Sequence, residues 1–171
     1  MPYPKQIVTM AQNLLDEQED NPGLYEIRSY MLWNAILNYH FPADLDYGVV
    51  HQTSATGNGT KPDFLVVRVF LESEHVVVVA GLNNSGGETQ DAMDAVVKDL
   101  VDYVEDRFTE TRYPAIYGIV GIGLWWTALR IDKTGLNQSP TLVPWYDNAV
   151  SNKSFLFLKT IADEVRAMTQ V

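Results

Sequence analysis

Hydrophobic residues recur at intervals of three and four in four stretches of the chain, as in helices that bury one face. The pattern is clearest before residue 108, where Met93, Leu100 and Val104 share one side and Asp94 and Lys98 lie on the other. The predicted helices cover residues 4–20, 23–40, 88–108 and 153–168.

The second predicted helix carries apolar residues on two sides. Ile27 and Met31 lie on one side, and Leu32 and Ile36 lie on another. A stripe of that width is typical of a helix with little solvent exposure. We therefore expect much of this helix to be buried.

Short apolar runs predict five strands, and two of them are apolar at odd and even positions alike. These two runs, 64–71 and 75–80, should be central strands that are covered on both faces, joined by a hairpin turn at 72–74. The order of two helices, three strands, a helix, two strands and a last helix indicates an α/β domain with a mixed central sheet flanked by helices. The predicted strands cover residues 45–53, 64–71, 75–80, 115–121 and 124–131.

Composition narrows the class of protein. The chain has 171 residues, of which 46% are hydrophobic, so we expect a single domain over 1–171 and exclude a disordered chain. There is no cysteine, which excludes disulfide frameworks and thiolate metal sites. The sequence has no apolar run of ~20 residues and no recognisable signal peptide, so we expect an intracellular protein without a membrane span.

The charge balance bears on partners. Twenty-two acidic residues against 12 basic ones give a net charge of −10. Phosphate contacts require Lys and Arg, so this charge disfavours naked duplex DNA as a partner. A protein or a small ligand is the expected partner, and a homo-oligomer is compatible with the sequence.

The predicted hairpin places one carboxylate at a sheet end. With the turn centred near Ser73, Asp63 at the start of one central strand should lie opposite Asn83, with Gly81 close by. The register could differ by about two residues. A charge at that position needs a partner or water.

The order of elements and the stretch Lys61-Pro62-Asp63-Phe64 resemble the PD-(D/E)XK nuclease-like superfamily, whose core is helix, three antiparallel strands, helix, strand. The resemblance covers residues 21–131. The stretch 114–123 is similar to uncharacterised fungal members. Residues 1–20 and 132–171 would add an N-terminal helix, a long loop and a C-terminal helix. The resemblance implies a restriction-endonuclease-like fold.

The resemblance also implies a metal site, of which this chain keeps one half. The Asp after Pro corresponds to Asp63, and Glu26 is the candidate acid on the first core helix. The family's acid-x-Lys is replaced by Gly81-Leu82-Asn83, so an acid and a lysine are missing. Asn83 would stand in place of the lysine.

Two residues after the loop could replace the missing acid. Glu88 and Gln90 begin the next predicted helix, and either could point toward Asp63. An intact site would hold Mg²⁺ or Mn²⁺ on Asp63, Glu26 and Glu88, with Asn83 and Gln90 as further site residues. Without it, no cofactor is expected.

Four aromatic residues are candidates for partner binding. Trp125 and Trp126 are adjacent on a strand and should point to opposite faces, one into the core. The other would be exposed or covered by the loop that carries Trp145 and Tyr146. Exposed rings could stack on a ligand or anchor a partner.

Three functions are compatible with these features. The first is a catalytically degenerate PD-(D/E)XK-like protein that binds a ligand or partner. The second is a metal-dependent nuclease whose second acid has moved to another position. The third is a self-assembling structural or defence protein.

Overall fold

A computed structural model describes residues 2–17, 22–52, 63–82, 89–134 and 144–170. The order of helices and strands in these residues is the predicted one. Short 3₁₀ turns occupy Ala43–Leu45 and Phe108–Glu110. The helices and strands are α1 (Lys5–Glu17), α2 (Pro22–His40), β1 (Tyr47–His51), β2 (Phe64–Phe70), β3 (Ser73–Leu82), α3 (Gln90–Arg107), β4 (Ala115–Ile122), β5 (Trp125–Asp132) and α4 (Asn152–Thr169).

The five strands form one mixed sheet in the order β1-β2-β3-β4-β5. Three of the four neighbouring pairs are antiparallel, and β3 and β4 are parallel. A parallel pair needs a long connection between its strands, which α3 supplies. The α/β class predicted from the sequence is confirmed.

The sheet has a hydrophobic core on each face. Val78, Ala80 and Tyr117 face the core shared with α1, α2 and α4. Val79 and Val120 face the core shared with α3. Successive side chains of a strand point to opposite faces, so strands covered on both sides are apolar throughout. The prediction of two central strands is confirmed, with bounds of Phe64–Phe70 and Ser73–Leu82 in place of 64–71 and 75–80.

The β2–β3 turn lies earlier than predicted. Phe70 pairs with Ser73, so Leu71 and Glu72 form the connection, and the predicted turn at 72–74 is wrong. Leu71 takes a left-handed conformation with φ 57°. A register shift between Val66 and Val67 then moves the pairing by one residue, and Phe64 faces Ala80.

The prediction that much of α2 is buried holds for one of its two apolar sides. Leu32 and Ile36 are fully buried against the sheet. Ile27 and Met31 are 57% and 51% exposed. The sheet covers one stripe of the helix, which leaves the other apolar side in solvent.

Candidate functional site

Asp63 joins the ends of three strands. Its N–H donates to the carbonyl of Ala80 at 3.0 Å, and its carbonyl accepts from the N–H of Gln52 at 2.9 Å. Its carboxylate oxygen Oδ2 accepts a hydrogen bond from the N–H of Leu82 at 2.6 Å. The predicted proximity to Gly81 is therefore confirmed within the expected slip, because Asp63 bonds the residues on either side of that glycine.

Helix α2 brings a tyrosine and a second carboxylate to Asp63. The Tyr30 hydroxyl donates to Glu26 Oε1 at 3.2 Å, across one turn of the helix. The same hydroxyl lies near the Asp63 carboxylate, since each of the two groups shifts the pKa of the other. Glu26, Tyr30 and Asp63 thus lie close together, and we call these three residues the Asp63 site.

Aromatic rings hold Tyr30 in place. The His51 ring lies 5.8 Å from the Tyr30 ring, centroid to centroid, in an edge-on arrangement. The Phe64 ring lies 6.3 Å from Tyr30 and 5.2 Å from His51. Because Phe64 follows Asp63 directly, the strand that carries the carboxylate also supplies part of the packing around its partner.

Burial changes the acid–base properties of this site. Burial raises the pKa of Asp63, and Glu26 adds to the rise. The Leu82 N–H, the Tyr30 hydroxyl and His51 oppose it, because each favours the ionised carboxylate. Burial and the two carboxylates also raise the pKa of Tyr30. Tyr30 therefore stays protonated at neutral pH and acts as a hydrogen-bond donor.

The described residues do not fit the metal that the family resemblance implies. Within the described ranges, no group of three or more His, Asp or Glu side chains is arranged to hold a metal ion. One oxygen of Asp63 accepts a hydrogen bond from the backbone, and Glu26 accepts one from Tyr30. Magnesium needs near-octahedral oxygen ligands, and among the described residues this site offers two carboxylates.

Of the other predicted site residues, the structure describes Gln90, which does not contact the Asp63 site. Asn83 and Glu88 lie outside the described residues. Gln90 is exposed, and its amide donates to Asp94 Oδ1 at 2.7 Å. It lines a cleft together with Thr127 of β5, so the expectation that Gln90 points toward Asp63 is corrected.

The reason for this correction is the direction of α3. Its first residues lie beside β5, whereas Tyr103, further along, bonds the Gln52 side chain just after β1 at 3.3 Å. The helix crosses the sheet, and its N-terminus lies on the side away from β1.

The four aromatic residues differ in burial. Trp126 is fully buried and donates from Nε1 to Ser154 Oγ at 2.8 Å, so its predicted role in partner binding is wrong. Trp125 is half-buried and lines a small pocket with Leu14 and Tyr25. Trp145 and Tyr146 are also half-buried, and Tyr146 forms two backbone hydrogen bonds with Trp126, at 2.9 and 2.8 Å.

Tyr30 is the site residue that sequence reasoning missed. Its signal is the spacing of four from Glu26, which places the two side chains on the same face of α2. Helical spacing alone could not indicate that this face meets Asp63, since that contact depends on how α2 packs on the sheet.

Comparisons of the chain with protein-family models, with curated proteins and with solved structures found no match. The fold therefore defines the class at the level of an α/β protein with a mixed five-stranded sheet. Across the described residues, no helix combines the length and apolar character that a membrane crossing requires.

Proposed function

We propose that this chain is a catalytically degenerate PD-(D/E)XK-like protein that acts as a ligand- or partner-binding module. Support for the relationship comes from the order of elements. Helix α2 precedes three antiparallel strands, α3 follows, and β4 then pairs in parallel with β3. Asp63 stands at the entry to β2, the position at which the family carries its first acid.

One observation supports the proposed loss of catalysis. The Asp63 carboxylate accepts the Leu82 N–H at 2.6 Å, from the residue where the family places the middle of its acid-x-Lys motif. A carboxylate bonded in this way is held by the fold. A metal bound through the other lone pairs of Asp63 would find no second strand acid, because Gly81 stands where the family places it.

The remaining chemistry of the Asp63 site favours ligands that donate hydrogen bonds or carry positive charge. Asp63 and Glu26 offer acceptor oxygens, and Tyr30 donates a hydrogen bond to Glu26. A phosphodiester would bring negative charge to two carboxylates on a chain whose net charge is −10. We therefore propose a protein or a small ligand as the partner.

A cleavage assay tests the loss of catalysis. Wild type, Asp63→Ala and the control Asp44→Asn are incubated with single- and double-stranded DNA and RNA in Mg²⁺ and in Mn²⁺. Asp44 is an exposed acid in the turn before β1. We expect the three proteins to show the same background. Cleavage by wild type and Asp44→Asn that is lost in Asp63→Ala would overturn the proposal.

A metal-dependent nuclease is the second candidate, and one observation favours it. Glu26 and Asp63 are close enough that Glu26 contributes to the raised pKa of Asp63. Two coupled carboxylates are the minimum from which such a site could be built. In that case Glu26→Gln would remove cleavage as Asp63→Ala does.

A further inference from the structure

The cleft that Gln90 and Thr127 line lies on the α3 side of the sheet. It has a volume of about 440 Å³ and runs between the first half of α3, β5 and Trp145. This volume falls within the range of clefts that bind small organic molecules. The Asp63 site, in contrast, is built with α2, which packs on the other face of the sheet.

The floor of this cleft is apolar because valines of α3 and a leucine of β5 line it. Leu100 and Val104 on the inner face of the helix are buried in the core. Val97 and Val101 line the cleft and are only half-buried. Leu129 of β5 is 1% exposed and forms part of the wall beneath them.

An indole forms another wall. Trp145 lines the cleft and is half-buried. Its neighbour Tyr146 is bonded to Trp126 of β5 through two backbone hydrogen bonds, at 2.9 and 2.8 Å. The tryptophan is therefore carried by a segment fixed to the sheet, which places an aromatic surface beside the apolar floor.

The rim of the cleft carries a negative charge at Asp94. Asp94 Oδ1 accepts the Gln90 amide at 2.7 Å, and no ion pair involves Asp94 in the part of the chain that the structure describes. Lys98 also lines the cleft, one helical turn away, but its ammonium bonds Asp102 at 2.9 Å.

We propose that this cleft binds an arylalkyl ammonium ion, with the ammonium at Asp94 and the aromatic ring between the apolar floor and Trp145. A carboxylate and an indole both attract an organic cation, and the apolar floor matches the ring. The net charge of −10 favours cations over anions around the whole molecule. The assignment does not depend on the state of Asp63.

Three probes of similar shape separate charge from shape: phenethylamine, 2-phenylethanol and 3-phenylpropionate. Binding is followed by NMR on the indole N–H signal of Trp145, which is assigned by its loss in Trp145→Phe. We expect phenethylamine to bind at least about threefold more tightly than the alcohol, as for one exposed charge pair. The acid should bind most weakly.

Two matched variants locate the charge. Asp94→Asn keeps an acceptor for Gln90 and should bring the amine to the affinity of the alcohol. Asp91→Asn removes the same charge from the same helical turn, at an exposed residue that does not line the cleft, and should keep the preference. Asp63→Asn should also keep it.

The proposal is overturned if wild type binds the amine and the alcohol equally, or if no probe shifts the Trp145 signal. It is also overturned if Asp94→Asn and Asp91→Asn reduce the preference equally, because the effect would then be that of net charge alone. The wild-type comparison of the three probes stands even if a variant fails to fold.

Discussion

At the scale of single residues, the contacts that favour the ionised form of Asp63 are outweighed by the effect of burial. Its pKa lies above the ordinary value of 3.8, so the ionised carboxylate works against folding. The stabilising effect of the protonated form is complete at pH values below the pKa of Asp63 in the unfolded chain. It is lost as the pH rises through the pKa of Asp63 in the folded chain. Such a residue is typical of a binding or catalytic position.

Asp63→Asn should therefore stabilise the protein at neutral pH. The amide keeps an oxygen that can accept from Leu82 and removes the buried charge. Urea unfolding should give a higher midpoint for the variant at pH 7, and the gain should disappear at about pH 3, below both pKa values of the acid. A lower midpoint at pH 7 would contradict this account of Asp63.

His40 should make the protein sensitive to acid. It is buried, and its ring nitrogen Nε2 shares a hydrogen bond with the Tyr3 hydroxyl at 2.8 Å. Burial, together with Arg166, lowers the pKa of His40 from 6.5 to about 4. The unfolded chain binds the proton first, so stability falls as pH drops from 6.5 toward 4. The expected loss is about 3 kcal/mol.

The free energy of unfolding, measured in urea between pH 4 and pH 7.5, checks this prediction. His40→Gln should flatten the slope between pH 4 and 6.5, whatever its effect on absolute stability. His75→Gln, at a half-buried histidine on β3, should keep the wild-type slope. If His40→Gln left the slope unchanged, another group would be responsible.

At the scale of elements, the β2–β3 turn contains a strained residue. Leu71 has φ 57° and is 85% exposed, so it gains little from burial in a conformation that costs an L-residue about 1–2 kcal/mol. Leu71→Gly should raise the free energy of unfolding by about 1 kcal/mol.

The neighbouring substitution is the control for this turn. Glu72 is also exposed but does not have a positive φ. Glu72→Gly should therefore give no gain and a small loss, because glycine adds freedom to the unfolded chain. Equal effects of the two substitutions in urea unfolding would show that strain at Leu71 does not limit stability.

The spacing of apolar residues predicted the helices and strands well, because burial governs both the apolar pattern and the packing of these elements. The apolar runs of β2 and β3 predicted that these strands are central in the sheet. The apolar face of α3 predicted which of its residues are buried. Three features depend on geometry that the pattern does not encode: the left-handed Leu71, the shift between Val66 and Val67, and the exposed side of α2 at Ile27.

At the scale of the whole molecule, the sequence predicted the sheet class but only part of the site. Counting residues from the hairpin turn along two neighbouring strands predicted that Asp63 lies close to Gly81. Such counting could not predict the positions of Tyr30 and Gln90, because these positions depend on where α2 and α3 lie across the sheet. Contacts between distant elements need packing as well as pattern.

The claim that the Asp63 site has lost its metal is tested most directly by thermal unfolding with and without Mn²⁺. A metal that binds the folded state raises its midpoint. Wild type, Asp63→Ala and the control Asp44→Ala are compared at equal protein concentration. We predict the same small change in all three. A rise in wild type and Asp44→Ala that is absent in Asp63→Ala would contradict the claim.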